Sequence, residues 1–149
     1  MELQSIHIIF ADDDPDDHIL FKDALNGIPL NTSLTGLYNG EELMQLLSNE
    51  LWKGPTILFL DLNMPRKNGY ECLTEIKQSE KLKNLYKIVF STSYDPGIAS
   101  QLYQNGADHY IRKPEEFAKL KETIYKILLL FLDKDSTQSA AKKADNLKS

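Results

Sequence analysis

The sequence is poor in the residues that staple, coordinate or anchor a chain. A single cysteine, Cys72, in 149 residues excludes an internal disulfide framework and suits a reducing compartment. The three histidines, His7, His18 and His109, share no ligand spacing, so no histidine metal site is expected. The longest apolar run, Ile127 to Leu132, falls far short of the roughly 20 residues that cross a bilayer. Met1-Glu2-Leu3-Gln4 has neither the basic start nor the apolar stretch of a secretory signal. Positive charge is scarce too. With 17 Lys and Arg against 22 Asp and Glu, the net charge of −5 argues against a nucleic-acid backbone as partner, and Lys142-Lys143 is too short a patch to reverse that. No repeat or internal linker interrupts the chain. What remains is a cytoplasmic, water-soluble domain with no membrane contact, and a 42% hydrophobic share is enough for one core.

The stretch Ile57-Leu58-Phe59-Leu60-Asp61-Leu62-Asn63-Met64-Pro65 organises the rest. Four apolar residues between Pro55 and an acid read as a buried strand, and Pro65 forces a turn soon after Asp61. Ile6 to Ala11 reads as an earlier strand, ended by Asp12-Asp13-Asp14. Pro15 then fits the first helical position with Asp14 as N-cap, and Asp14, Asp16 and Asp17 are read as capping and solvated charge. Ile19, Leu20, Ala24 and Leu25 are expected on the inward face of that helix, which Gly27 ends. Thr32 to Tyr38 is a weaker second strand, and Asn39-Gly40 leads into a helix with Leu43, Leu46 and Leu47 inside.

Trp52 reads as a packing residue near a loop. Cys72, Leu73 and Ile76 mark a third helix, with the thiol in the core. Lys87 to Phe90 is a fourth strand ending on Ser91-Thr92-Ser93. Asp95-Pro96 opens a helix through Ala99, Leu102 and Tyr103, stopped by Gly106. Asp108 to Arg112 is a short fifth strand ending on Lys113-Pro114. A last helix is expected from about Glu115 to Leu132, so the domain is residues 1–132 and the polar segment 133–149 reads as a disordered tail. Five strands alternating with five helices define an α/β, flavodoxin-like, doubly wound parallel sheet in the order 2-1-3-4-5.

Such sheets bind ligands outside the carboxyl ends of their strands. Under this order Asp12, Asp13, Asp61, Ser91 and Lys113 all reach one edge. Three crowded carboxylates repel one another unless a cation neutralises them, and hard oxygen ligands suit Mg²⁺. With the charge reduced, an anionic phosphoryl group can approach Asp61, whose carboxylate can act as a nucleophile. Lys113 can pair with phosphoryl oxygens and Ser91 can donate a hydrogen bond.

These residues, with Gly69, Gly106-Ala107 and Tyr110, resemble a response-regulator receiver domain of two-component signalling over residues 5 to 132. After Leu132 only about seventeen residues remain, too few for an output domain, so a stand-alone receiver is expected, not an enzyme with a separate substrate. Asp61 resembles the phosphoacceptor, fed by a phosphohistidine on a sensor histidine kinase or phosphotransfer protein. Asp12, Asp13, Asp61 and the Asn63 backbone carbonyl resemble the Mg²⁺ ligands. Ser91 looks like the switch hydroxyl, Tyr110 like the switch aromatic, and Lys113 like the lysine that pairs with the phosphoryl group. A cis Lys113–Pro114 bond is also implied. Ser91 stands where Thr is commoner, and Thr92 is bulkier than the usual neighbour, which narrows access to Asp61.

Two other chemistries share parts of this pattern. A haloacid-dehalogenase-type phosphatase also uses a strand-end Asp, Mg²⁺ and Lys, but its general acid two residues on is here Asn63, which cannot recycle a proton. A flavin module would need a phosphate cradle where Asp12-Asp13-Asp14 repels one. On the last helix, Phe117, Leu120, Ile124, Ile127, Leu128 and Phe131 supply a core stripe. Tyr125, Leu129 and Leu132, with Leu130 nearby, form a second apolar side, which predicts an interface and a homodimer.

Overall fold

The computed structural model describes the backbone of residues 5–49 and 54–148, with side chains as far as Lys134. The strands are β1 (Ile6–Ala11), β2 (Thr32–Leu37), β3 (Thr56–Leu60), β4 (Tyr86–Ser91) and β5 (His109–Arg112). The helices are α1 (Pro15–Asn26), α2 (Gly40–Asn49), α3 (Gly69–Gln78), α4 (Pro96–Gln104) and α5 (Phe117–Lys148). All strands are parallel, in the order β2-β1-β3-β4-β5. The switch between β1 and β3 opens the crevice that such a topology always leaves.

Helices cover both faces. One core joins α1 and α5 to the sheet through Ile8, Phe10, Phe21, Phe59, Ile88, Phe90 and Ile124; the other packs α2, α3 and α4 on Ile9, Leu58, Leu60 and Val89. A chain of rings ties the first together, with Phe10–Phe21 at 4.3 Å, Phe21–Phe59 at 5.0 Å and Phe59–Phe90 at 5.6 Å. Each such pair adds about 0.5–1.5 kcal/mol beyond burial itself. Cys72 is fully buried, and burial pushes its thiol up to about 12, so it packs as an apolar residue.

Several expectations are corrected here. In α1 the inward residues are Phe21, Ala24 and Leu25, while Ile19 and Leu20 are 60% and 42% exposed. With Ile28 these make the i, i+3, i+4, i+7 stripe, and Ile19 and Leu20 lie outside it. Phe117 is exposed because it is the first residue of α5, and the core stripe begins only with Leu120. Leu46 is only partly buried, and Tyr103 is exposed. The Lys113–Pro114 bond is trans, since no cis peptide occurs among the described residues. Trans is the lower-energy form of an X–Pro bond by about 0.5–1 kcal/mol. The α5 backbone runs to Lys148, where the composition predicts a disordered tail; the segment has neither Gly nor Pro to stop the helix. Trp52 lies outside the described residues.

Candidate functional site

The register delivers the site. Ala11 pairs with Leu60, so Asp12 and Asp61 leave the sheet side by side, and the Asp61 N–H donates to the Ala11 carbonyl at 2.9 Å. Ser91 ends β4, and the Lys113 N–H donates to its carbonyl at 2.7 Å. Gly69 belongs to the same edge. A Cβ there would stand 2.4 Å from the Asp61 carbonyl oxygen, so only glycine lets the start of α3 close on this strand end.

Asp12, Asp13 and Asp61 each offer a carboxylate oxygen within 4.8 Å of the others. Asp12 is fully buried, Asp61 is 7% exposed, and Asp13 is exposed. Two buried acids beside one that opens to solvent are hard oxygen donors with room for waters, which fits Mg²⁺. Lys113 ties the cluster together. Its ammonium contacts Asp12, lies 3.0 Å from Asp17 Oδ2 and 4.0 Å from Asp61 Oδ2. Asp17 is therefore part of the site rather than solvated charge. Asp14 keeps its expected role, accepting the Asp16 N–H as N-cap. His18 braces the same loop, donating from Nε2 to the Asp12 carbonyl at 2.7 Å and stacking on Tyr38 at 4.1 Å.

The charges perturb one another. Burial pushes Asp61 up to about 6; Lys113 pulls it back, the Asp12 charge raises it, and an Asn63 backbone hydrogen bond lowers it. Burial likewise raises Asp12 against the hydrogen bond from Lys113. Burial alone would depress Lys113, but Asp12, Asp61 and Asp17 hold it above its ordinary value.

A stability test follows. The folded Asp61 value of about 6 lies above the ordinary 3.8, so its contribution is fully present below 3.8 and lost as pH rises through 6. A shift of this size corresponds to about 3 kcal/mol undamped, and screening at the rim reduces it to about 1–2 kcal/mol. Asp61→Asn, neutral at every pH, should therefore be more stable than the wild type by that amount above about pH 7, with the gain fading below about pH 4. Urea unfolding in chelator across this range checks it. No gain at high pH means that burial does not destabilise the Asp61 carboxylate.

Ser91 and Tyr110 complete the rim. Ser91 Oγ is fully buried and makes no hydrogen bond to any described residue. A buried hydroxyl left so costs about 1–3 kcal/mol. Tyr110 is buried; its hydroxyl accepts the Asp95 N–H at 2.9 Å and donates to the Ser93 carbonyl at 3.4 Å. Its ring stacks on Tyr94 at 4.5 Å, and its N–H donates to the Tyr103 hydroxyl at 3.2 Å. The β4–α4 loop is thereby linked to β5. Sequence reasoning missed Tyr94, His18 and Asp17. For Asp17 the available signal was its place in the first turn of α1, next to the Asp12-Asp13 strand end.

An open α/β sheet with three acids, a lysine and a hydroxyl at one strand edge defines a phosphoacceptor signalling module. The response regulator receiver domain family matches residues 8–125, and the chain belongs to that family. Its members are phosphoacceptor domains that engage histidine kinases or phosphotransfer proteins and generally bind Mg²⁺ in this acidic pocket. The chain is 33% identical to "Probable C4-dicarboxylate response regulator DctR" of Bacillus subtilis over 119 residues, 80% of this chain but only 50% of that protein. It is 28% identical to response regulator Rcp1 of Synechocystis, covering 85% of this chain and 88% of Rcp1. The phosphorylated cyanobacterial phytochrome response regulator RcpA superposes with a TM-score of 0.79 at 27% identity, over 88% of this chain and 96% of RcpA. The Mn²⁺-bound form of Rcp1 gives 0.72 at 27% identity, over 81% and 90%. No described helix is long and apolar enough to cross a membrane.

Proposed function

We propose that this chain is a response regulator that takes a phosphoryl group onto Asp61 from a phosphohistidine of a sensor histidine kinase or phosphotransfer protein. The observation that carries the reading is the meeting of Asp12, Asp13 and Asp61 with Lys113 at one strand edge. An Asp61 carboxylate oxygen attacks phosphorus, the P–N bond breaks, and the imidazole nitrogen leaves with the electron pair. Asp12, Asp13, Asp61 and the Asn63 backbone carbonyl would hold Mg²⁺, which would supply the charge that lets carboxylates and phosphoryl oxygens coexist. Lys113, 4.0 Å from Asp61, pairs with a phosphoryl oxygen as a point charge. Ser91 Oγ, without a partner among the described residues, donates to another. Tyr110 then carries the change along β5 and the β4–α4 loop, to which its hydroxyl is bonded.

The phosphorylated state of RcpA and the Mn²⁺ site of Rcp1 support the phosphoacceptor and divalent-cation parts of this reading. The match to Rcp1 over 88% of its length supports a receiver that works without a fused output domain. Transfer from a phosphorylated histidine-kinase transmitter tests the proposal. Loss of label from the kinase and its gain by this chain, in Mg²⁺ but not in chelator, is expected. A folded chain that takes no label from any kinase of its own cell, nor from acetyl phosphate, overturns it.

A homodimer through α5 belongs to the same reading. Leu129 and Leu130 are 44% and 53% exposed, whereas Tyr125 and Leu132 pack partly against the core. The interface is thus narrower than four residues and centres on the exposed pair. Sedimentation with and without beryllofluoride should show a dimer that Leu129→Asp disrupts. A monomer throughout rules the dimer out.

A further inference from the structure

Away from the rim, positive charge also gathers at the amino end of β4. Lys77, Lys83, Lys87 and Lys134 line a cavity of about 230 Å³ there, walled by Tyr86 and Phe131. Asp108 is the only acid lining it among the described residues, in a chain whose net charge is −5. Lys87 is the unusual member, a lysine only 5% exposed inside the sheet. Its ammonium bonds the Leu85 carbonyl and lies 4.0 Å from Asp108 Oδ2. The same carboxylate also accepts the Lys87 backbone N–H at 2.8 Å and pairs with Lys134 at 3.2 Å. One acid is therefore shared by two ammonium groups and neutralises neither fully. Lys83 has Glu80 at 2.9 Å, outside the lining. Counting both acids, two positive charges remain among the described residues.

A buried lysine is costly, and an apolar residue of similar shape generally serves a fold as well or better. We propose that this cavity binds a small phosphate dianion, free or as a monoester. Its two charges match the two left over. The volume is below the range of drug-sized pockets and admits a phosphate with a few carbon atoms. Tyr86 and Phe131, 5.3 Å apart, give those carbons an apolar wall. Ser91 lies four residues along β4, roughly 13 Å away, so this site is separate from Asp61 and does not rest on its phosphorylation.

Titration of the ¹⁵N-labelled chain, without divalent ions, tests the proposal with inorganic phosphate, glycerol 3-phosphate and uncharged glycerol. Saturable amide shifts centred on Lys87, Gly106 and Asp108 are expected from both phosphates and not from glycerol. Tighter binding of glycerol 3-phosphate identifies a monoester as the ligand, and equal binding identifies free phosphate. Lys134→Gln and Lys77→Gln, both at exposed residues of the lining, should each weaken binding about tenfold, the loss expected for one charge-assisted contact. Lys87→Met should abolish it if that variant folds. Absence of saturable shifts at this cavity, or affinity unchanged in both glutamine variants, overturns the proposal.

Discussion

Replacing Asp13 with alanine is expected to cut divalent-cation affinity by about 10–100-fold while leaving the metal-free fold nearly unchanged. Asp13 is exposed and is neither a cap nor a described partner of Lys113, so its loss removes no packing and no ion pair. Surface changes of that kind usually stay within about 0.5 kcal/mol. Yet it is one of only three carboxylates that converge on the cluster, and it is the one open to solvent. Mg²⁺ dehydrates reluctantly and binds through few direct carboxylates, so one ligand in three is a large share. Calorimetric titration with Mg²⁺ or Mn²⁺, beside urea unfolding in chelator, separates the two effects. Unchanged cation affinity in Asp13→Ala would place the metal elsewhere.

Lys113→Met should have the largest effect on the metal-free protein. The substitution keeps the aliphatic stem but leaves Asp12, fully buried, beside Asp61 and Asp17 with no cation between them. Breaking a buried pair by removing one partner costs about 3–5 kcal/mol. Asp12 can relieve part of this by taking up a proton, since its pKa is already raised by burial, so about 2–3 kcal/mol is expected near neutral pH. The sign is set by the carboxylates. Without the cation they protonate still more readily, so the penalty is largest at high pH and shrinks as pH falls. Saturating Mg²⁺ should also reduce it, because a divalent cation replaces the missing charge. Phosphorylation should persist in Mg²⁺, but the phosphorylated protein should lose its conformational response, as Ser91→Ala should with no loss of cation affinity. Unfolding curves at several pH values, with and without Mg²⁺, decide the stability claim. A loss independent of both pH and Mg²⁺ would mean that Lys113 acts through packing.

The strands and the polar residues that end them are legible in the sequence because both are local signals. A run such as Ile57 to Leu60 closed by Asp61 states its burial and its terminus within a few residues, and alternation with helices implies a parallel doubly wound sheet, whose order in the structure is the expected 2-1-3-4-5. What depends on helix rotation is not legible. In α1, Ile19-Leu20 and Phe21 compete for the inward face, and the choice is made by the ring stack of Phe10, Phe59 and Phe90 across the sheet. That same rotation turns Asp17 over the strand ends and onto Lys113, 96 residues away in sequence. Lys87 was hidden for a related reason. A lysine in a strand reads as its solvent side, and only the neighbouring β5 shows that Asp108 draws it in.

The central claim is that Asp61 alone carries the phosphoryl group. Mass spectrometry of peptides from wild type and Asp61→Asn, after treatment with acetyl phosphate and Mg²⁺, tests it most directly. A hydroxylamine- and base-labile phosphoryl group is expected on the peptide that contains Asp61, and none anywhere in Asp61→Asn. A phosphoryl group of equal yield on Asp12, Asp13 or any other residue of the variant would contradict it.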